Sequence, residues 1–131
     1  MFGNGRSTFP KSERMVSRLL MESLFGGRNS HSVVNFPLRI VYTTRERQLQ
    51  EAPIQILVSV SKKHFKHAVD RNRVKRQIRE AYRCNRQVIT EALPEGKQLL
   101  MACVWLSDEH CPSAEIEHKM VSLLRRVGEK L

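Results

Sequence analysis

The sequence predicts a single α/β domain, and three observations predict it. Apolar residues repeat every three or four positions in some segments and every second position in others, the periods of helices and strands. The two kinds of segment interleave in the order helix, strand, strand, helix, strand, helix, with room for one further short strand. The chain has 131 residues, the size of one compact domain, and 40% of them are hydrophobic, enough for a core rather than a disordered basic tail. Residues 1–8 include Gly3 and Gly5 and have no periodic apolar pattern; they are expected to be flexible, with the domain over 9–131.

The first helix is expected from Ser12, a candidate N-cap. Val16, Leu19, Leu20 and Leu24 make its apolar stripe, and Gly26-Gly27 stops it. Arg28 to Asn35 reads as a polar connector to Phe36-Pro37. A strand is expected over 38–43, with Leu38, Ile40 and Tyr42 on one face and Arg39, Val41 and Thr43 on the other. A charged loop over 44–53 leads to a second strand over 54–61, where Ile54, Ile56, Val58 and Val60 alternate with Gln55, Leu57, Ser59 and Ser61. Lys62 to Val69 reads as a basic loop, followed by a strongly basic helix from Asp70 to Arg86. Pro94-Glu95-Gly96 marks a turn. The apolar run from Gln98 to Trp105 fits a strand covered on both faces. Cys111-Pro112-Ser113 opens a last helix with Ile116, Met120, Leu123, Leu124 and Val127 as its core stripe.

Lys and Arg total 23 against 13 acids, a net charge of +10. That excess points to a polyanionic partner, nucleic acid before an anionic membrane surface. The longest apolar stretch, Leu99 to Leu106, is too short to cross a bilayer, and no signal-peptide segment opens the chain. Cys84, Cys103 and Cys111 are odd in number and lack C-x-x-C spacing, so they read as reduced cytosolic thiols. His64 and His67 flank the basic loop without a third ligand at closing distance, and are expected to be solvated. No metal site is expected on the chain.

Residues 61–86 hold ten Lys or Arg and only two acids, Asp70 and Glu80. On an ideal helix at about 100° per residue, Val74, Ile78, Ala81, Tyr82, Val88 and Ile89 gather into a buried stripe. Asn72, Lys75, Arg76, Arg79, Arg83 and Arg86 gather between roughly 100° and roughly 200° from it, as one opposed ridge. A solvated helix face normally mixes Glu with Lys to gain pairs, whereas this ridge is expected to carry like charges that a polyanion would neutralise. DNA recognition helices usually sit in a helix-turn-helix pair; here a strand and a Lys-Lys loop precede the helix, which favours RNA. No hydrolytic constellation is visible: Asp70 and Glu80 do not converge, and Asp108, Glu109 and His110 read as a loop.

Val58-Ser59-Val60-Ser61-Lys62-Lys63, followed by Ala68-Val69-Asp70-Arg71-Asn72-Arg73-Val74-Lys75-Arg76-Gln77-Ile78-Arg79-Glu80-Ala81-Tyr82-Arg83, resembles the signature of the bacterial ribonuclease P protein family. The resemblance is close over 54–86 and consistent elsewhere. It implies a two-layer domain of the ribosomal protein S5 domain 2-like type with a left-handed β-α-β crossover. It implies RNase P RNA and precursor tRNA as partners in a 1:1 protein–RNA complex in the cytoplasm, with no membrane. The RNA would cleave the phosphodiester with magnesium ions of its own, and the chain would hold no cofactor and no catalytic residue.

Carried over by position, Lys62, Lys63, Arg71, Asn72, Arg73, Lys75, Arg76, Arg79 and Arg83 are the implied RNA contacts. Met21, Phe25, Phe36, Arg39 and Val41 are the implied cleft for the 5′ leader. Met21 stands where the family often has an aromatic, and Phe36 is expected to be core. Two other classes stay open: a ribosomal or ribosome-assembly protein with no role in tRNA processing, and a protein-only nuclease.

Overall fold

The computed structural model describes residues 30–47 and 52–131. The helix expected from Ser12, the segment 1–8, Met21 and Phe25 lie outside the described residues. The described elements are β1 (His31–Asn35), β2 (Leu38–Glu46), β3 (Ile54–Ser59), α1 (Ala68–Asn85), α2 (Gln87–Ala92), β4 (Lys97–Trp105) and α3 (Ser113–Glu129). They form a mixed α/β domain on one four-stranded sheet of order β1-β2-β4-β3. β1 and β4 both pair antiparallel with β2, while β3 and β4 run parallel. A parallel pair needs a long crossover, and α1 with α2 supplies it.

Period-two alternation decides which side chains enter the core. Leu38, Ile40 and Tyr42 from β2 join Ile54, Ile56 and Val58 from β3 and Leu99, Met101, Cys103 and Trp105 from β4 on the face that packs the helices. On the opposite face Val41, Leu100 and Ala102, with Leu57 against them, form a smaller cluster. β4 lies between β2 and β3, so it is buried on both sides, as its unbroken apolar run predicts. Its buried polar residue, Gln98, is satisfied there: its amide donates to the Ala52 carbonyl at 2.9 Å and its oxygen accepts from Arg45 Nε at 2.6 Å. The stripe Ile116, Met120, Leu123, Leu124 and Val127 of α3 is fully buried. At the 94–96 turn Gly96 has φ +82°, a conformation that favours glycine.

Several boundaries differ from the sequence expectation: β3 ends at Ser59 rather than 61, and the basic helix starts at Ala68 rather than Asp70. The polar connector holds a strand, β1, because Val33 reaches the core and Arg126 of α3 donates to the Val34 carbonyl at 2.8 Å. β2 runs on to Glu46, since Thr44, Arg45 and Glu46 still pair with Leu99, Gln98 and Lys97. The basic helix stops at Asn85 and a short second helix starts at Gln87. The Asn85 side chain donates to its own Ala81 carbonyl at 2.8 Å and to Glu117 at 3.0 Å, competing with the backbone for the acceptor that would continue the helix. Val88 and Ile89 therefore belong to α2. Phe36, expected in the core, is 62% exposed, because it sits in the two-residue turn past the last β1–β2 pair, Asn35 with Leu38.

Two outcomes follow. Ile78→Ala removes a fully buried side chain and should lower unfolding free energy by about 2–5 kcal/mol, measured by urea denaturation; a loss near zero would place Ile78 outside the core. Burial pushes the Cys103 thiol up to about 12, so native Cys103 should resist iodoacetamide at mildly alkaline pH and react once unfolded. Because the folded value is the higher one, the thiol's contribution is complete below its ordinary value of about 8.5 and is lost as pH rises above it.

Candidate nucleic-acid interface

After β3 the chain turns through residues 61–67 before entering α1. Ser61 organises the turn: its carbonyl accepts from the His64 and Phe65 amides at 3.0 and 3.3 Å, and its hydroxyl accepts from the Lys63 amide at 3.1 Å. Lys62 and Lys63 are exposed on this turn. Arg71 reaches back from the first turn of α1, where its Nη1 donates to the Phe65 and Lys66 carbonyls, both at 2.9 Å. Arg71, singled out as an RNA contact, thus also fixes the loop that carries the two lysines.

α1 is held by Val74, Ile78, Ala81 and Tyr82, all buried. The other implied contacts lie off that stripe: Asn72, Arg73 and Arg76 are exposed, and Lys75, Arg79 and Arg83 half-buried. The cationic surface is wider than one ridge. Arg73 and Arg76, with Gln77, Glu80 and Ser113, line a shallow depression of about 340 Å³ on the edge toward α3. Asn72, Lys75 and Arg79 occupy the other edge, given about 100° per residue.

The surface is also not purely cationic. Arg83 donates to Glu80 from Nη2 at 2.5 Å and from Nε at 3.1 Å. The Arg83 hydrogen bond holds the Glu80 carboxyl below the usual carboxylate range, and Glu80 in turn raises the Arg83 guanidinium. Position i+3 brings Glu80 within reach of Arg83, which corrects the expectation of like charges alone. Arg86 is the C-cap of α1.

The loop histidines divide. His67 is exposed, but His64 is not simply solvated: its Nδ1 lies 2.7 Å from Asp108 Oδ1, with its side chain only 15% exposed. Asp70 meets His110 Nε2 at 3.0 Å. Phe65, buried in the core, stacks on the His110 ring with centroids 4.6 Å apart. None of these contacts was assigned from the sequence. An aromatic inside an otherwise basic loop was the available signal, since Phe65 has no reason to sit in water.

Of the implied leader cleft, Arg39 is exposed on β2, while Val41, two residues on and on the same face, is buried in the smaller apolar cluster. Exposed Phe36 precedes them in the turn. Among the described residues no group of three or more His, Cys, Asp or Glu side chains is arranged to hold a metal ion, and no helix is long and apolar enough to cross a membrane.

The ribonuclease P family model matches residues 9–128. The ribonuclease P protein component of Porphyromonas gingivalis is 38% identical over 119 residues, covering 90% of this chain and 85% of that protein. The corresponding protein of Chlorobaculum tepidum is 35% identical, covering 91% of this chain and 81% of the other. Among solved structures, the RNase P protein of Thermotoga maritima superposes with a TM-score of 0.66 at 23% identity, covering 87% of this chain and 96% of that one. That of Staphylococcus aureus gives 0.65 at 21%, covering 89% and 96%. Fold and near-full-length sequence similarity agree, and the chain belongs to the ribonuclease P protein family.

Proposed function

We propose that the chain binds RNase P RNA through the 61–67 loop and the exposed side of α1, and that it also holds the 5′ leader of precursor tRNA. The observation that carries RNA binding is the placement of Lys62, Lys63, Asn72, Arg73, Lys75, Arg76, Arg79 and Arg83 off the buried stripe of one helix and its preceding loop in a member of this family. Arg71 joins them with part of its guanidinium committed to backbone carbonyls. Phosphates would displace the exposed Glu80 carboxylate from Arg83, since ion pairs at the surface contribute little. Phe36 and Arg39, with Val41 shaping the sheet beneath them, are the described part of the leader contact; Met21 and Phe25 complete it in this proposal.

The chain's contribution to leader removal is electrostatic and geometric. Neutralising phosphates lets the RNA and its substrate approach, and fixed cations orient them. Cleavage and the magnesium ions that support it are assigned to the RNA, in a 1:1 complex in the cytoplasm. Leader binding should tolerate sequence changes, through stacking and backbone contacts.

Reconstitution tests this directly. The chain should increase precursor-tRNA cleavage by RNase P RNA at low magnesium, and no increase would refute the proposal in favour of a ribosomal RNA-binding role. Arg76→Glu with Arg79→Glu should abolish the increase while leaving the circular dichroism spectrum intact. If about six cations engage phosphates, log affinity should fall against log salt with a slope of about −4 to −5; a slope near zero would mean that phosphates are not the contacts.

A further inference from the structure

Two histidine–carboxylate pairs brace the loop that carries Lys62 and Lys63. His64 donates to Asp108 at 2.7 Å and His110 to Asp70 at 3.0 Å, across sequence separations of 44 and 40 residues. The pairs join three segments: the loop after β3, the first turn of α1, and the loop between β4 and α3. Phe65 links the two pairs, being the neighbour of His64 and stacked on His110. Among the described residues the buried Nδ1 atom of His110 has no hydrogen-bond partner, and the ring's polar anchor there is Asp70.

On charge alone these carboxylates are misplaced. Asp70 and Asp108 stand beside cations that the proposed function assigns to RNA, and would repel a polyanion. A lysine-rich loop without a brace would instead have to be ordered at the moment of binding, and that ordering weakens affinity. Arg71 fixes the C-terminal half of the loop through the Phe65 and Lys66 carbonyls; the His64–Asp108 pair fixes the stretch next to the two lysines.

We propose that Asp108, through His64, and Asp70, through His110, are positioning residues for RNA binding that hold the 61–67 loop in the shape presenting Lys62 and Lys63 to phosphates. This role rests on the RNA-binding function proposed above. Neither carboxylate touches the RNA.

The experiment compares binding of RNase P RNA by the full chain and by Asp108→Ala, Asp108→Asn, Asp70→Ala and Asp70→Asn, at a temperature well below each variant's measured melting point. The two substitutions at each site separate charge from geometry, because Asn removes the charge but keeps an oxygen acceptor for the imidazole. The Ala variants should bind about five- to tenfold more weakly, with a salt slope shallower by about one to two as the Lys62 and Lys63 contacts are lost. The Asn variants should bind at least as tightly as wild type. Unchanged or tighter binding by Asp108→Ala, the effect of charge removal alone, would overturn the brace, as would Asn variants that weaken as much as Ala. Asp108 is 76% exposed, so its variants keep the test sound even where Asp70→Ala fails to fold. Absence of binding by the wild-type chain would refute the RNA-binding function itself, a result distinct from failure of the brace.

Discussion

Val74, Ile78, Ala81 and Tyr82 carry a helix that its own charges oppose. Arg71, Lys75, Arg79 and Arg83 follow one another at i,i+4, and each such like-charge pair costs about 0.2–0.5 kcal/mol. Burying one Val- or Ile-sized side chain contributes about 1.5–3 kcal/mol, and all four stripe residues are buried. Core burial therefore wins, and it fixes the rotation of the helix. Once the stripe faces the core, the cations have no option but the outer surface, and the Glu80–Arg83 pair relieves only the last turn of the repulsion.

Topology then sets what surrounds that helix. β3 and β4 are parallel, so the segments that leave them emerge at the same end of the sheet. One is the lysine-bearing loop; the other is the loop that holds Asp108 and His110. Their meeting with the first turn of α1 follows from strand direction, and it turns a loop of repelling cations into a tied structure. The parallel pair also demands the crossover that α1 provides, so the element that completes the sheet is the one that displays the charge.

Periodicity made the core-facing side of the long described elements legible. The alternation of Ile54, Ile56 and Val58 and the stripe of α3 could be read because residues two apart in a strand, or three and four apart in a helix, fall on one face. β1 was obscured because only Val33 of its five residues is buried, too little for a pattern. Phe36 misled because its apolar character implies a core place, whereas it occupies the turn between β1 and β2 with its side chain exposed. The cationic residues could be named from the sequence, but their partners could not. Glu80 lies within helical reach of Arg83 and could have been paired; Asp108 with His64 and Asp70 with His110 are contacts made by the fold, invisible to any local pattern.

The cationic side of α1 and its preceding loop should therefore be the part of the surface that RNA covers. Lysine acylation followed by mass spectrometry, on the full chain with and without RNase P RNA, tests that location. Lys62, Lys63 and Lys75 should be protected by RNA, while Lys97 and Lys130, which lie together beside the start of β4 and the end of α3, should label at unchanged rates. Protection of Lys97 and Lys130 with continued labelling of Lys62, Lys63 and Lys75 would contradict it.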